Sequence, residues 1–294
     1  MKKLFSLIFI SLATFLLFSC AGGNKIGYDS FEYGRYPQEI VSSKEIIDKL
    51  NTFTDTDVNA DGYLVLDNVE YEKVVATPFV DGELYFSDNT TIRNGKVYYF
   101  KVKSIKWRVI EAKDNTKVAI TDQILDVTEY PTYIVKNQDE VAKGAEPIKE
   151  MKSVKYNESN LREFLNNDFY KLAFSNEDKE PKATKVEVAN ISGDNPKYVE
   201  DKVWIPSYKE INLNSFQSDD DRYAFATDYA KAVGVDCFFD SPNSYYYNAS
   251  PYPLRTLSIA STASIFYVNY YGKVTSVSND NYYKSVSVRP CITL

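Results

Sequence analysis

Lys96–Glu111, KVYYFKVKSIKWRVIE, is the stretch on which the fold turns. It is dense in β-branched and aromatic residues and reads as a long β-rich run within a hairpin that follows a first one. Within it Val97-Tyr98-Tyr99-Phe100 is continuously apolar, a pattern compatible with burial on one face or on both. Upstream, Gly62–Leu66, a turn at Asp67-Asn68 and Val69–Ala76 read as a hairpin. Downstream, Lys117–Thr121 continues the sheet. Helices are few and short. Ser42–Leu50 carries serine caps and apolar residues at 46, 47 and 50. A stronger helix starts at Asn157 or Ser159, with Leu161, Phe164, Leu165, Phe169 and Leu172 on one face and Arg162, Glu163, Asn166 and Asn167 on the other.

Between these, Tyr130–Tyr156 is charged and weakly periodic and reads as an irregular surface loop. After the apolar strand Val203–Ile205, Ser207 and Glu210 match a capping box. Asp221–Val233 reads as one helix stopped by Gly234. From Ser241 the texture changes to short β segments, with strands expected at Phe266–Val268, Lys273–Val277 and Ser285–Ile292. The fold class expected is therefore α+β, with mixed β-sheets and a few short helices. Residues 31–294 are expected to form a single domain, β-rich over 31–125.

The N-terminus gives the location. Lys2 and Lys3 precede an apolar run from Leu4 to Phe18, followed by Ser19-Cys20-Ala21-Gly22-Gly23. This is the pattern of a secretory signal, about 15 apolar residues long against the roughly 20 that a spanning helix needs. Leu17–Cys20 resembles a bacterial lipoprotein signal, which implies cleavage after residue 19 and a lipid on Cys20. Phe18 is bulkier than that motif usually shows, and plain secretion is the alternative. Residues 20–30 read as a flexible tether. The expected location is the bacterial cell envelope, lipid-anchored, at the outer membrane or cell surface.

Composition excludes several chemistries. The chain has 34 basic and 41 acidic residues. Removing Lys2 and Lys3 leaves 32 against 41, a net charge of −9. A basic nucleic-acid footprint is absent, which leaves the lipid on Cys20 as the contact with a membrane. There is no histidine, which removes the commonest general base and the commonest transition-metal ligand. Cys237 and Cys291 show no C-x-x-C spacing. In an exported protein they form either a disulfide with each other or two buried thiols.

Seven stretches, in order, resemble landmarks of a large bacterial family of uncharacterised exported domains: Tyr33–Gln38, Ile105–Ile110, Asn160–Phe169 with Ala173-Phe174, Val203–Ser207, Thr227–Gly234, Leu254-Arg255 and Val288–Pro290. Pro253 stands where the family usually has tryptophan, Thr256 where it has serine and Cys291 where it has alanine. The resemblance implies that the part from about 150 to 294 is similar to the C-type-lectin-like fold, whose last strands and loops display variable residues. Fold alone does not assign function.

Nine of the 25 tyrosines lie between Ser241 and Leu294, about twice an even spread, so that segment is where a binding surface is sought. Tyrosine gives a large rigid face with few torsions to freeze, and binding loops favour it beside Ser, Gly and Asn. The candidate ligand-binding residues are Tyr245, Tyr246 and Tyr247, and Asn279, Asp280, Asn281, Tyr282 and Tyr283. Tyr267 and Tyr270 read as ordinary strand residues. Asp57–Gly62 resembles the opening of a calcium loop but has Asn68 where the bidentate glutamate belongs, so it reads as a solvated turn. Asp219–Asp221 read as stabilising a helix N-terminus, and Arg255 and Arg289 as hydrogen-bond hubs. Trp107, Trp204, Phe164, Phe169 and Phe225 read as core.

The function expected from the sequence is a surface-tethered lipoprotein that binds an extracellular glycan or protein ligand through its C-terminal loops, with no catalysis, cofactor or metal. A structural envelope lipoprotein is the alternative, and a polysaccharide hydrolase using a carboxylate pair is a weaker one. A cysteine-based oxygenase-like chemistry would require Cys237 and Cys291 to be adjacent, reduced and open to solvent.

Overall fold

The computed structural model describes residues 29–294 except 55, 145, 191, 193–195, 214, 259–263 and 278–284. The chain is α+β, with one seven-stranded antiparallel sheet, several two- and three-stranded sheets and a few short helices. Strand β1 spans Ser30–Ile40, helix α1 Lys44–Leu50, β2 Leu64–Leu66, β3 Val69–Val75, β4 Val97–Lys113 and β5 Thr116–Thr121. The long β-rich run is one continuous strand, β4, and the rest of the sheet is built on it. Lys101 pairs with both Glu39 and Tyr71, and Trp107 with both Phe31 and Thr121. So β1 runs along one edge of β4, while β3 and then β5 share the other. The turn Asp67-Asn68 has both residues at positive φ, 52° and 63°, the geometry that lets a two-residue turn match strand twist.

Strand Cys291–Thr293 inserts between β5 and Val203–Trp204. The central sheet thus takes strands from both halves of the sequence. Burial follows the pleat: Ile105, Trp107 and Ile120 are fully buried, and the Trp107 indole N–H donates to the Tyr33 carbonyl at 2.7 Å. Against this face packs a helix that starts at Asn160–Phe164, widens into a π turn over Leu165–Phe169 and returns to α over Tyr170–Phe174. Phe169 meets Tyr36 at 5.0 Å between ring centroids, and Phe174 meets Trp107 at 6.3 Å. A smaller core of Val41, Leu50, Leu64, Tyr71 and Tyr99 lies around α1.

Several local expectations need correction. Tyr130–Tyr156 is not an irregular loop. It contains a hairpin of Thr132–Val135 with Lys149–Ser153 and a short helix Gln138–Val141. Its closing device is Asn137, whose amide donates to the Glu146 carbonyl and accepts from the Ile148 N–H.

Asp221–Val233 is not one helix. A 3-10 turn at Asp219–Asp221 gives way to strand Ala224–Phe225, and the helix proper is Asp228–Ala232, capped by Thr227, whose hydroxyl accepts from the Ala230 N–H at 3.1 Å. An internal cap and pairing with Ala249–Ser250 outweigh the helical pattern.

Ser285–Ile292 is two strands, Val286–Val288 and Cys291–Thr293, broken at Arg289-Pro290 where proline has no N–H to give. The Asn160 helix is capped by Ser159 as expected, but Arg162 and Asn166, both part-buried, do not simply face solvent. Arg162 forks onto buried Asp201, and the Asn166 amide bonds the Val203 carbonyl at 2.8 Å. Phe164 and Phe225 are half-buried, against full burial for Trp107 and Phe169.

Candidate functional site

Three short segments build an aromatic surface. The first is Ser218–Tyr223, where the Ser218 N–H and hydroxyl both reach the Asp221 carboxylate at 2.9 Å and Arg222 pairs with Asp219 at 2.6 Å. The second is the turn Asn269–Gly272, in which the Asn269 side-chain oxygen accepts from the N–H groups of Tyr271 and Lys273. Gly272 has φ +77°, and a Cβ there would stand 1.7 Å from the Asp219 carbonyl oxygen. Only glycine allows this turn to lie on the first segment. The third is Ser244–Asn248, where Asn248 adopts φ +68°.

Five rings of these segments, Tyr223, Tyr245, Tyr246, Tyr270 and Tyr271, gather with Phe238. Tyr223, Tyr245 and Tyr246 are mutually edge-on, with centroids 5.3 to 5.6 Å apart, and Tyr246 meets Tyr271 at 4.9 Å. Phe238 contacts Tyr270 and Tyr271 at 5.9 and 5.8 Å. Edge-to-face pairs of this kind hold one another rigid. Tyr245 and Tyr271 are the exposed members, at 37% and 45%, while Tyr223 is buried beneath. The Tyr223 hydroxyl donates to the Tyr245 hydroxyl at 2.7 Å, and the Tyr270 hydroxyl to Asp236 at 2.6 Å. Burial, then the bond to Tyr245, pushes the Tyr223 phenol far above its ordinary range, and burial raises Tyr246 as well. Burial also raises Asp236, opposed by the Tyr270 bond. The Tyr223 and Tyr246 phenols therefore stay protonated at physiological pH.

Tyr245 and Tyr246 are thus brought together. Tyr247, the third member of the triplet, turns away and lines a separate cleft with Asp228 and Lys231. Tyr270, read from the sequence as a strand residue, belongs to the aromatic surface, as do Tyr223, Phe238 and Tyr271, which sequence reasoning missed. A signal was present in Asn269-Tyr270-Tyr271-Gly272, a turn tetrapeptide with two tyrosines. Asn279, Asp280, Asn281, Tyr282, Tyr283 and Cys20 lie outside the described residues.

Cys237 and Cys291 are both free thiols and both buried, so the possible disulfide is not formed. Burial pushes the Cys237 thiol up to about 12 and Cys291 well up too. This removes the open, reduced pair that an oxygenase-like chemistry would need. Arg289 gives its Nε to the Thr121 carbonyl and Nη1 to the Arg222 carbonyl and the Tyr252 hydroxyl. It holds the segment beneath the aromatic surface. In Asp57–Gly62 the Asp57 carboxylate accepts from Thr54, Asn59 from the Asp61 and Tyr63 N–H groups, and Asp61 pairs with Arg35 at 2.6 Å. Those oxygens are spent on the turn itself and on Arg35 of β1. Among the described residues no helix is long and apolar enough to cross a membrane.

No curated protein and no solved structure matches this chain. A family model, described as a domain of unknown function, matches residues 115–294. That span contains the aromatic surface, Arg255 and Arg289, and begins after the stretches Tyr33–Gln38 and Ile105–Ile110. The chain belongs to this family, DUF6273.

Proposed function

We propose that the chain is a surface-tethered lipoprotein of lectin-like architecture that binds an extracellular glycan or protein ligand and performs no chemistry of its own. The observation that carries this reading is the rigid, part-exposed ring surface of Tyr245, Tyr246 and Tyr271. Rings already frozen by their neighbours lose little side-chain entropy when a ligand covers them. The lipid on Cys20 would hold this surface at the envelope.

The test is binding of the protein lacking residues 1–20 to a glycan and extracellular-matrix array, beside a Tyr245→Ala/Tyr271→Ala variant. Both side chains are part-exposed, and circular dichroism checks that the variant keeps its fold. Saturable binding that the variant loses supports the reading. Binding indifferent to the two substitutions, or none at all, moves the assignment to a structural envelope role.

A further inference from the structure

The aromatic surface of Tyr245, Tyr246 and Tyr271 is bordered by an acid that the fold does not use. Asp220 is exposed in the middle of the Asp219–Asp221 turn. Its one side-chain contact among the described residues is a long one, from the Tyr246 hydroxyl to Oδ1 at 3.4 Å. The acids beside it are occupied. Asp221 is buried and accepts from the Ser218 N–H and hydroxyl, and Asp219 pairs with Arg222 at 2.6 Å. Arg222 is held further by the Ile211 carbonyl at 3.1 Å and the Asn212 side-chain oxygen at 3.3 Å. Lys273, exposed at the end of the adjoining turn, makes no ion pair among the described residues, and neither does Asp220.

This carboxylate stands among the rings. Gly272 seats the Tyr270-Tyr271 turn on the Asp219 carbonyl, one residue from Asp220, and the part-exposed Tyr246 links Asp220 through its hydroxyl to Tyr245 and Tyr271 through its ring. Burial first, and then the charge of Asp220, raises the Tyr246 phenol. Aromatic faces beside an uncompensated carboxylate attract a cation and disfavour an anion. Solvent screens an exposed acid, so its charge alone contributes little, and the rings are needed beside it.

The packing of the rings selects the kind of cation. They meet edge to face at contact distance, which leaves no space between them to enclose a rounded ammonium group. A planar guanidinium needs no enclosure, because it stacks on one ring face and forks onto a carboxylate beside it. The chain makes this arrangement within its own fold: Arg35 lies over the Tyr63 ring at 5.7 Å and binds Asp61 at 2.6 Å. Resting on the reading of this surface as a binding site, we propose that its ligand is a protein segment presenting arginine, with the guanidinium paired to Asp220 and stacked on the adjoining rings. The net charge of −9 left after removal of Lys2 and Lys3 favours the approach of such a basic partner.

The experiment is biolayer interferometry of the full-length protein in non-ionic detergent on immobilised oligo-arginine, oligo-lysine and oligo-citrulline peptides of equal length. Citrulline keeps the planar shape of arginine without its charge. Asp220→Asn removes the exposed acid with no change of size, and Glu140→Gln removes one exposed charge from helix Gln138–Val141 as the control for net charge alone. The arginine peptide should saturate, lysine should bind more weakly, and citrulline should bind at least about tenfold more weakly. Asp220→Asn and Tyr245→Ala/Tyr271→Ala should each lose about threefold or more, the scale of an exposed ion pair or cation–π contact, while Glu140→Gln stays near the parent. The assignment is overturned if arginine does not saturate, if lysine or citrulline binds as well, if Asp220→Asn loses no more than Glu140→Gln, or if the ring variant binds like the parent. On the glycan and matrix array, a ligand lost by the ring variant but kept by Asp220→Asn would overturn the arginine assignment alone and leave the surface a binding site.

Discussion

Arg255 and Glu210 form a two-pronged pair, Nη2 to Oε1 at 2.8 Å and Nη1 to Oε2, with Arg255 almost fully buried. Arg255 lies on strand Tyr252–Leu257 and Glu210 in the capping box with Ser207, whose N–H donates to the same carboxylate at 2.7 Å. Arg255 also donates to the carbonyls of Ile205 and Glu187, at 2.7 and 2.9 Å. One guanidinium thus fastens three segments whose backbone groups would otherwise be unpaired.

Removing that guanidinium should be costly. Arg255→Leu leaves Glu210 buried without its partner and is expected to lower stability by about 3–5 kcal/mol. Burial alone would raise the Glu210 carboxyl, and Arg255's charge and bonds outweigh it, so the carboxyl lies below its usual range. In the parent this pair stabilises above the unfolded carboxyl's pKa and is lost as pH falls through the lowered folded value. In the variant only the Ser207 bonds still oppose burial, so the Glu210 carboxyl moves up and the deficit should be smaller at pH 4 than at pH 7. Denaturant midpoints at the two pH values check this, and a deficit that grows on acidification counts against it.

A second pH effect runs through the core. Burial raises Asp126 to about 6 and Glu72 to about 7, the latter helped by the charge of Asp126. Asp126 accepts from the Tyr36 hydroxyl and from the Val127 N–H at 2.7 Å, which only partly offset burial. Because the folded values are raised, the stability these groups give is fully present below about 4 and is lost as pH rises through 6 and 7. Each is worth on the order of 2–3 kcal/mol. The melting temperature of Glu72→Gln relative to the parent should therefore climb between pH 4 and pH 8. A constant difference would contradict the assignment.

Gly272→Ala should damage the aromatic surface without touching a tyrosine. Its Cβ would collide with the Asp219 carbonyl and its φ is unfavourable for alanine, so the turn must move. A loss of about 1–3 kcal/mol is expected, with a weaker near-ultraviolet tyrosine signal. An unchanged spectrum would show that the turn does not order the rings.

The two thiols should be silent in the native protein lacking residues 1–20. A thiol-specific disulfide reagent should titrate well under one equivalent when folded and both cysteines in guanidinium chloride, since burial holds both thiols protonated. One fast native equivalent would place either cysteine at the surface.

The sheet was legible where local pattern and tertiary role agree. Lys96–Glu111, the Asp67-Asn68 hairpin and the Ser159 cap are strong signals and are what the structure has. The misread segments are those where a side chain reaches far along the sequence. Arg162 and Asn166 have the periodicity of a wet helix face, and nothing near them announces Asp201 or Val203. Thr227 looked like one polar residue within a helix and instead starts one. The tyrosine triplet reads as a unit in sequence, but within the turn Ser244–Asn248 Tyr247 lines a separate cleft while Tyr245 and Tyr246 join Tyr223. Tyr271 joins them because Gly272 lets its turn approach Asp219, a proximity that no spacing in the sequence contains.

The placement of Cys291–Thr293 between β5 and Val203–Trp204 sets an order of events. Cys291 pairs with Ile120 and with Trp204, so one end of the main sheet joins segments far apart along the chain. Loop-closure entropy must be met before those pairings return anything, and high contact order slows folding. Until that strand docks, β5 and Val203–Trp204 each present an open edge, the feature that invites pairing with other chains. The protein should therefore fold slowly, and while it does it should be most prone to aggregate through those two edges.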